Sequence, residues 1–171
     1  MNSLDETKFS FGAFTIQPSE VFVTSQHSFA FVNLKPIVPG HVLVSPKRVV
    51  QRFTEMTSEE VADLWILVQR VGKVVESHYS AASLTLAMQD GPLAGQSVPH
   101  VHVHVLPRRA GDFARNDDVY DALEQGSKEM APEITKQQQG ERLDLDQERR
   151  VATPQEMAAE AATLRALFVT A

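Results

Sequence analysis

The sequence predicts a single domain of the α+β class, and three observations support this prediction. Short runs rich in Phe, Val and Leu, bounded by proline and glycine, indicate strands in the first part of the chain. A longer run with helical spacing of its apolar residues follows, and an alanine-rich run lies near the C-terminus. Strands and helices grouped in separate parts of a sequence are typical of α+β domains.

The four strands predicted in the N-terminal part of the chain are short and are separated by turn residues. Their ranges are Phe9–Ile16, Val21–Thr24, Ser28–Leu34 and His41–Ser45. Prolines at positions 18, 36, 39 and 46, with a glycine at position 40, lie between or after them. Proline has no backbone N–H to donate within a sheet, so these positions end the strands.

The first helix is predicted to begin after Thr57. The Thr57 hydroxyl can accept a hydrogen bond from the amide three residues further on, and the Glu60 carboxylate can return one, which is the capping-box pattern. The apolar residues that follow recur at helical spacing and predict one buried stripe. The stripe comprises Val61, Leu64, Trp65, Val68, Val71 and Val75.

Two further elements are predicted in the rest of the chain. Ser83–Gln89 alternates in polarity and predicts a strand that forms a hairpin with the histidine-rich segment after it. One face of that strand carries Leu84, Leu86 and Met88. The last helix is predicted to begin at Thr153, with Pro154 at its first position and Glu156 completing a capping box. Its buried side is predicted to consist of Met157, Ala161, Leu164 and Phe168.

Composition narrows the functional classes. A net charge of -6 argues against nucleic acid or an acidic membrane as the main partner, because both attract basic surfaces. The chain has no cysteine and no recognisable secretory signal, which predicts a cytoplasmic location, with the nucleus as a second compartment. Residues 126–152 include three consecutive glutamines and many charges with little periodicity, and are predicted to form a flexible loop.

Three of the six histidines alternate with valine between Pro99 and Pro107. In an extended strand, residues two apart share a face, so the spacing predicts that His100, His102 and His104 stand together while the valines face the core. Such a face could be structural, could bind a metal, or could hold a phosphate while one imidazole attacks it. Zinc takes three or four nitrogen, sulfur or carboxylate ligands, and neither a cysteine nor a nearby acidic residue after His104 completes that set.

The loop before the histidines favours the phosphate interpretation. Gly91, Pro92 and Gly95 predict a tight turn whose backbone amides can approach an anion closely. Gln96 and Ser97 add side-chain donors directly before the histidine segment. A metal site has no need of such a loop.

These residues resemble a known family. Gly95–Leu106 is similar to the histidine triad motif, and Pro107–Phe113 is similar to the fragile histidine triad branch of that family. The similarity extends to residues 29–33, 35–44, 61–64, 115–117 and 156–162. The resemblance implies a HIT-like fold, with a single antiparallel sheet, a long helix and a C-terminal helix, and with the sheet extended across a homodimer. It divides the chain into a HIT domain core at 9–125, the flexible loop at 126–152, and the C-terminal helix of the same domain at 153–169.

The catalytic roles are predicted from this arrangement. His102 is expected to be the nucleophile, because it is the central histidine and a neutral imidazole is nucleophilic near neutral pH. His104 is expected to donate to phosphate oxygens. His100 and His41 are expected to fix the tautomer and position of His102. Gln96 is expected to bond near the bridging oxygen and to orient the attacking water.

The remaining predicted site residues bind substrate. The loop residues Gly95, Gln96, Ser97 and Val98, together with His104, are expected to surround the phosphates. The resemblance implies that Asn33 and Gln89 contact the ribose and neighbouring groups. It also implies that Mg or Mn accompanies the substrate phosphates, without a metal bound by the protein itself.

The resemblance implies a dinucleoside polyphosphate hydrolase that cleaves diadenosine triphosphate to AMP and ADP through a nucleotidyl-histidine. Related nucleotidyl transferases carry glutamine at the position of His104. Two alternatives remain open, a nucleoside phosphoramidase and a slow-turnover nucleotide-binding signalling protein. The expected assembly is a homodimer without nucleic-acid or membrane partners, and the helix face with Trp65, Val68 and Val75 is its candidate interface.

Overall fold

The computed structural model describes residues 8–126 and 150–169. Most of the predicted flexible loop at 126–152 lies outside the described residues. At the far end of that range, Ala152 donates a backbone hydrogen bond to the carbonyl of Leu34 at 2.9 Å and packs against the main core. The chain is therefore held against the core just before the C-terminal helix begins at Pro154.

The described residues contain strands in the first part of the chain, a long central helix, a strand hairpin and a final helix. The strands are Phe9–Phe11 (β1), Phe14–Ile16 (β2), Val21–Thr24 (β3), Ser28–Val32 (β4), Val42–Pro46 (β5), Ser83–Ala87 (β6) and Val103–Arg108 (β7). The long helices are Ser58–His78 (α1) and Pro154–Val169 (α2). Residues 118–126 are also helical. Within the described ranges, no helix is long and apolar enough to cross a membrane.

Strands β3 to β7 form one five-stranded sheet in the order β3-β4-β5-β7-β6. Every neighbouring pair is antiparallel, which confirms the predicted α+β class and its antiparallel sheet. Strand β5 therefore lies directly beside β7, where Leu43 is opposite His104. This pairing brings the residues that precede β5 close to the histidine segment.

The prediction of one strand over Phe9–Ile16 is wrong. The segment forms a separate hairpin of β1 and β2, in which Phe9 is opposite Ile16. Gly12 in the turn has a φ of +60°, a left-handed conformation that glycine adopts without strain. The hairpin covers one face of the main sheet through Phe9 and Phe11, which pack on Phe29 and Phe31 of β4.

The opposite face of the sheet holds the main core. Val101, Val103 and Val105 are buried there together with α1 and α2, so the predicted core role of these valines is confirmed. Strand residues Ala30, Val32, Val42 and Val44 belong to the same cluster. The helical residues at 118–126 lie on the hairpin side of the sheet, where Val119 and Leu123 pack on Leu106.

Helix α1 begins as predicted but buries a somewhat different stripe. The Glu60 amide donates to the Thr57 hydroxyl at 3.2 Å and the Glu60 carboxylate accepts from the Thr57 amide at 2.9 Å, completing the capping box. Such a cap stabilises a helix by about 1 kcal/mol. The prediction that Trp65 is buried is wrong, because it is 40% exposed and Leu67 occupies the core instead. Val68 and Val75 are fully buried in the monomer core, so they are not available as a dimer interface.

Helix α2 confirms its predicted start and most of its buried side. Thr153 and Glu156 exchange the two capping-box hydrogen bonds, at 2.9 and 3.2 Å, before the proline at the first helical position. Met157, Ala161 and Leu164 are buried, and Phe168 packs against the core from a half-buried position.

Candidate active site

The structure brings His102 and His104 together, with His41 beside them. The ring centroids of His102 and His104 are 5.0 Å apart, and those of His41 and His104 are 5.1 Å apart. All three residues are at most 2% exposed. This cluster lies on the hairpin side of the sheet, since His104 is opposite Leu43.

The three alternate histidines lie on the hairpin side of the sheet, as the alternation predicts, but His100 and His102 precede strand β7. Strand β7 begins only at Val103, and the backbone turns before it, because the His100 amide donates to the carbonyl of Val98 at 2.7 Å. Pro99, which lacks a backbone donor, lies within this turn. The His100 imidazole lies under the hairpin, 5.8 Å from the Phe11 ring between centroids, where Nδ1 accepts from the Gly12 amide at 2.9 Å and Nε2 donates to the Pro46 carbonyl at 3.0 Å.

His100 fixes the tautomer of His102 through its backbone carbonyl. The Nδ1–H of His102 donates to the carbonyl oxygen of His100 at 2.8 Å. The proton is thereby kept on Nδ1, and Nε2 retains its lone pair. Burial lowers the pKa of His102 below its ordinary value, so the ring is neutral at neutral pH. A neutral imidazole with a free Nε2 lone pair is a nucleophile in its reactive form.

His41 orients His104 rather than His102, which corrects its predicted partner. The Ile37 amide donates to Nδ1 of His41 at 3.1 Å, so the His41 proton must lie on Nε2. That Nε2–H donates to Nδ1 of His104 at 2.9 Å. His104 therefore carries its own proton on Nε2, the tautomer opposite to that of His102.

The two neighbouring rings consequently present different chemistry. His102 offers a lone pair at Nε2, and His104 offers an N–H donor at Nε2. Burial lowers the pKa of His104 well below its ordinary value, and the nearby His102 and His41 lower it further, so this donor is neutral. Burial also lowers the pKa of His100 to about 4. The rings of His100, His102 and His104 are therefore all neutral at neutral pH.

Two of the buried side-chain atoms that have no hydrogen-bond partner among the described residues belong to predicted site residues. They are Nε2 of His104 and the hydroxyl oxygen of Ser97. A buried donor without a partner costs about 1–3 kcal/mol, so such atoms call for a ligand that satisfies them. An imidazole N–H and a hydroxyl are both groups that can donate to an anionic phosphate oxygen.

Residues 90–97, here called the substrate loop, include three of the predicted binding residues, Gly95, Gln96 and Ser97. Gly95 has a φ of +88°, and a Cβ at this position would lie 2.6 Å from Nε2 of Gln89, so the loop requires glycine. Gln96 is folded back onto its own loop: its Oε1 accepts from the Gly91 amide at 3.0 Å and its Nε2 donates to the Gln51 carbonyl at 2.9 Å. These bonds hold the amide in one orientation, and each of its two polar atoms keeps one further hydrogen-bonding position.

Asn33 and Val98 lie near the cluster with restricted roles. Asn33 is buried, its Oδ1 accepts from the Lys35 amide at 3.0 Å, and its Nδ2 is 3.3 Å from Nε2 of His41. The Val98 side chain is fully buried under the β1–β2 hairpin. Only the backbone of Val98 is therefore available to contact a substrate.

Two functional contacts were not predicted from the sequence. Phe11 of the hairpin meets the His102 ring edge-on, with centroids 5.0 Å apart, and so limits the orientation of the nucleophile. The alternation of Phe9 and Phe11 indicated only a strand. The Ile37 amide is a backbone group, and no sequence pattern marks it as the partner of His41.

The metal alternative finds no support in the described residues. Across positions 8–126 and 150–169, no group of three or more His, Cys, Asp or Glu is arranged to hold a metal ion.

Comparison with known proteins agrees with this geometry. The HIT domain matches residues 15–111. The chain belongs to the HIT family. Among relatives of this HIT-domain chain, the bifunctional bis(5'-adenosyl)-triphosphatase/adenylylsulfatase FHIT of Arabidopsis thaliana is 49% identical over 162 residues, covering 95% of this chain and 85% of the relative. The bis(5'-adenosyl)-triphosphatase of Dictyostelium discoideum is 47% identical over 135 residues, covering 79% and 89% respectively.

The fold is also that of a solved HIT-family structure. The crystal structure of the C. elegans NitFhit protein superimposes with a TM-score of 0.71 at 40% identity. The match covers 95% of this HIT-domain chain and 30% of the NitFhit chain. This confirms the HIT-like fold that the histidine motif implied.

Proposed function

We propose that this HIT-domain protein is a dinucleoside polyphosphate hydrolase that cleaves diadenosine triphosphate to AMP and ADP. The observation that carries the proposal is the pair of opposite tautomers, with a free lone pair on His102 and an N–H donor on His104. The names of the Arabidopsis and Dictyostelium relatives, both bis(5'-adenosyl)-triphosphatases, support the choice of substrate.

The reaction follows from these two atoms. Nε2 of His102 attacks the α-phosphorus, forming a phosphorus–nitrogen bond while the bond to the bridging oxygen breaks and ADP leaves with that electron pair. Nε2–H of His104 and the Ser97 hydroxyl donate to non-bridging oxygens as charge develops. Water then attacks the same phosphorus, the bond to Nε2 breaks, and AMP leaves as the water proton is released. Gln96, held by Gly91 and Gln51, orients that water with a remaining hydrogen-bonding position of its amide.

Product analysis in isotopically labelled water tests this function. Diadenosine triphosphate is expected to give equal amounts of AMP and ADP, with one ¹⁸O from solvent in AMP and none in ADP, because water attacks only the α-phosphorus held by His102. Liquid chromatography with mass spectrometry measures both quantities. Label in ADP would contradict attack at that phosphorus, and no hydrolysis of any dinucleoside polyphosphate would overturn the function.

A second candidate substrate uses the same first step. Adenylyl sulfate carries a sulfate in place of ADP as leaving group, and the Arabidopsis relative is named an adenylylsulfatase as well as a triphosphatase. A nucleoside phosphoramidate would likewise lose its amine to form the same nucleotidyl-histidine. Comparing kcat/KM for these substrates with that for diadenosine triphosphate, on one preparation, decides which leaving group the site serves.

A slow-turnover signalling protein would use the same site but differ in rate. For a housekeeping hydrolase, the steady-state rate approaches the single-turnover rate because products leave quickly. For a nucleotide-bound signal, the steady-state rate falls far below it, because the occupied form persists. Measuring both rates on one sample separates the two.

We also propose that Mg²⁺ or Mn²⁺ assists by binding the substrate phosphates rather than the protein. Chelation with excess EDTA is therefore expected to lower kcat/KM by about tenfold at most and to leave the melting temperature of the ligand-free protein unchanged. Thermal unfolding with and without EDTA, beside the rate assay, makes this measurement. Stoichiometric zinc whose removal unfolds the protein would contradict it.

A homodimer remains our proposal for the assembly, with β6 in place of the buried α1 stripe. Strand β6 is at the edge of the sheet and pairs only with β7 within the described residues, while Leu86 on β6 and Trp65 are 45% and 40% exposed. At the other edge, the Arg165 guanidinium already donates to the Val21 carbonyl at 2.6 Å. A second copy added at β6 would continue the sheet.

Light scattering is expected to give about twice the 18.9 kDa mass of one chain at micromolar concentration. Leu86→Glu is expected to shift the mass toward one chain, because it introduces a charge at the proposed contact. Leu93→Glu is the matched control, since Leu93 is fully exposed and is not part of β6. A single-chain mass for the unmodified protein would contradict the homodimer.

The absence of cysteine supports a further proposal, a cytoplasmic location, which imaging of the tagged full chain would test.

A further inference from the structure

One ion pair joins the substrate loop to the neighbouring segment of residues 46–53. The Asp90 carboxylate, at the start of the loop, accepts the backbone N–H of Phe53 at 2.8 Å and the guanidinium of Arg52 at 3.1 Å. These bonds use different oxygens of one short side chain. Asp90 is therefore held in a single orientation, with its carboxylate across the gap between the two segments.

The Arg52 guanidinium also lies directly over Gly91. A Cβ built on Gly91 would be 3.1 Å from Cζ of Arg52 and 3.3 Å from its Nε. Gly91 makes three hydrogen bonds within the loop. Its amide donates to Oε1 of Gln96. Its carbonyl accepts the amide of Ala94 at 3.0 Å and that of Gln96 at 3.1 Å. Movement of Arg52 would be transmitted through Gly91 to Gln96.

The 46–53 segment contacts the histidine segment as well. The Val50 carbonyl accepts the Val101 amide at 2.7 Å, and the Pro46 carbonyl accepts from Nε2 of His100. His100 in turn holds Nδ1 of His102 through its carbonyl. The 46–53 segment therefore contacts both the substrate loop and His100, the residue that orients His102.

We propose that Arg52 and Asp90 are positioning residues for hydrolysis, whose ion pair locks the substrate loop onto the 46–53 segment and so places Gln96 and Ser97 relative to His102. This inference rests on the proposed function of the histidine site. The Arg52 guanidinium and the Phe53 amide lower the pKa of Asp90, so the pair is charged at neutral pH. Because Arg52 neutralises Asp90, the loop can carry a carboxylate at its start without repelling a polyphosphate.

The size of the expected effects separates positioning from plain stabilisation. The side chains of Arg52 and Asp90 are 47% and 25% exposed, and partly exposed ion pairs contribute little to the free energy of unfolding. A merely structural role therefore predicts small changes in melting temperature and unchanged kinetics. A positioning role predicts a kinetic loss that is larger than the stability change.

A double-mutant cycle tests the pair. Arg52→Gln and Asp90→Asn each remove one charge, and the asparagine keeps an oxygen to accept the Phe53 amide. Each is expected to lower kcat/KM by about tenfold, and the double variant is expected to fall no further, because the two residues act as one unit. Arg52→Lys is expected to recover most of the loss, since an ammonium can still pair with Asp90. If the losses of kcat/KM in the two single variants multiplied in the double variant, the proposal would be overturned. A loss confined to Arg52→Gln would also overturn it, because that result would indicate direct contact of Arg52 with substrate.

The matched control is Arg115→Gln, which breaks the exposed ion pair with Asp118 outside both segments. Its kcat/KM is expected to stay within about twofold of the unmodified protein. Hydrogen–deuterium exchange gives a readout that does not depend on turnover. Peptides covering residues 90–97 are expected to exchange several times faster in Asp90→Asn and unchanged in Arg115→Gln.

The two measurements fail in distinguishable ways. Unchanged exchange in Asp90→Asn would overturn the lock, and faster exchange with unaltered kcat/KM would overturn its positioning role. If the unmodified protein hydrolysed no dinucleoside polyphosphate, the proposed function and the catalytic role of the pair would both be overturned. Exchange would then still decide whether the pair holds the loop.

Discussion

Replacing His102 with asparagine is expected to lower kcat by at least about 10⁴-fold while changing nucleotide affinity by no more than about threefold. The asparagine amide nitrogen falls near the position of imidazole Nδ1, so it can keep the hydrogen bond to the His100 carbonyl. It has no atom at the position of Nε2, and the nucleophile is lost. His104 and Ser97 remain to bind phosphate, which is why affinity should persist.

Rapid quenching of single-turnover reactions gives the second measurement for this residue. In the unmodified protein, a peptide that contains His102 is expected to carry the added mass of one nucleotide, and the asparagine variant is expected to carry none. His78→Asn is the matched control, because His78 is exposed and lies outside the cluster. Label on a different peptide, or an asparagine variant with more than about a tenth of the normal rate, would contradict the assignment.

Local sequence patterns predicted the helix starts well. Each capping box, at Thr57 and at Thr153, depends on residues three positions apart and forms as predicted. The buried stripe of α1 was less predictable, because a spacing of three or four residues fits both Trp65 and Leu67 and only the position of the sheet decides between them. The turn at Gly12 was missed because one glycine between apolar residues is a weak signal, and its positive φ is known only from the backbone.

The chemistry of the candidate site was more predictable than its hydrogen bonds. The histidines and the glycine-rich loop indicated a phosphate site because those residue types suit that task at any nearby positions. Which ring nitrogen carries the proton depends on specific partners. His41 and His104 are 63 positions apart and meet only because β5 pairs with β7. The turn at Pro99 likewise delays the start of β7 to Val103, so His100 acts on His102 through its carbonyl rather than as a neighbour on a regular strand.

The bond from His41 to His104 leads to a prediction that separates two similar substitutions. His41→Asn is expected to lower kcat/KM by about 10²-fold, whereas His41→Gln is expected to stay within about fivefold of the unmodified protein. A glutamine amide nitrogen reaches near the position of imidazole Nε2 and can still donate to Nδ1 of His104. Asparagine is too short, so His104 can move its proton to Nδ1 and turn a lone pair toward the phosphate.

Steady-state kinetics and ¹⁵N NMR of the histidine rings together measure this effect. The His104 proton is expected on Nε2 in the unmodified protein and in His41→Gln, and to redistribute to Nδ1 in His41→Asn. His104→Ala removes the donor outright, so adding His41→Asn to it is expected to lower kcat/KM no further. Equal losses in the asparagine and glutamine variants, with the His104 tautomer unchanged, would mean that His41 acts by packing alone. Because His41 receives its own hydrogen bond from the Ile37 amide, the tautomer of the phosphate donor is set by the backbone of the segment before β5.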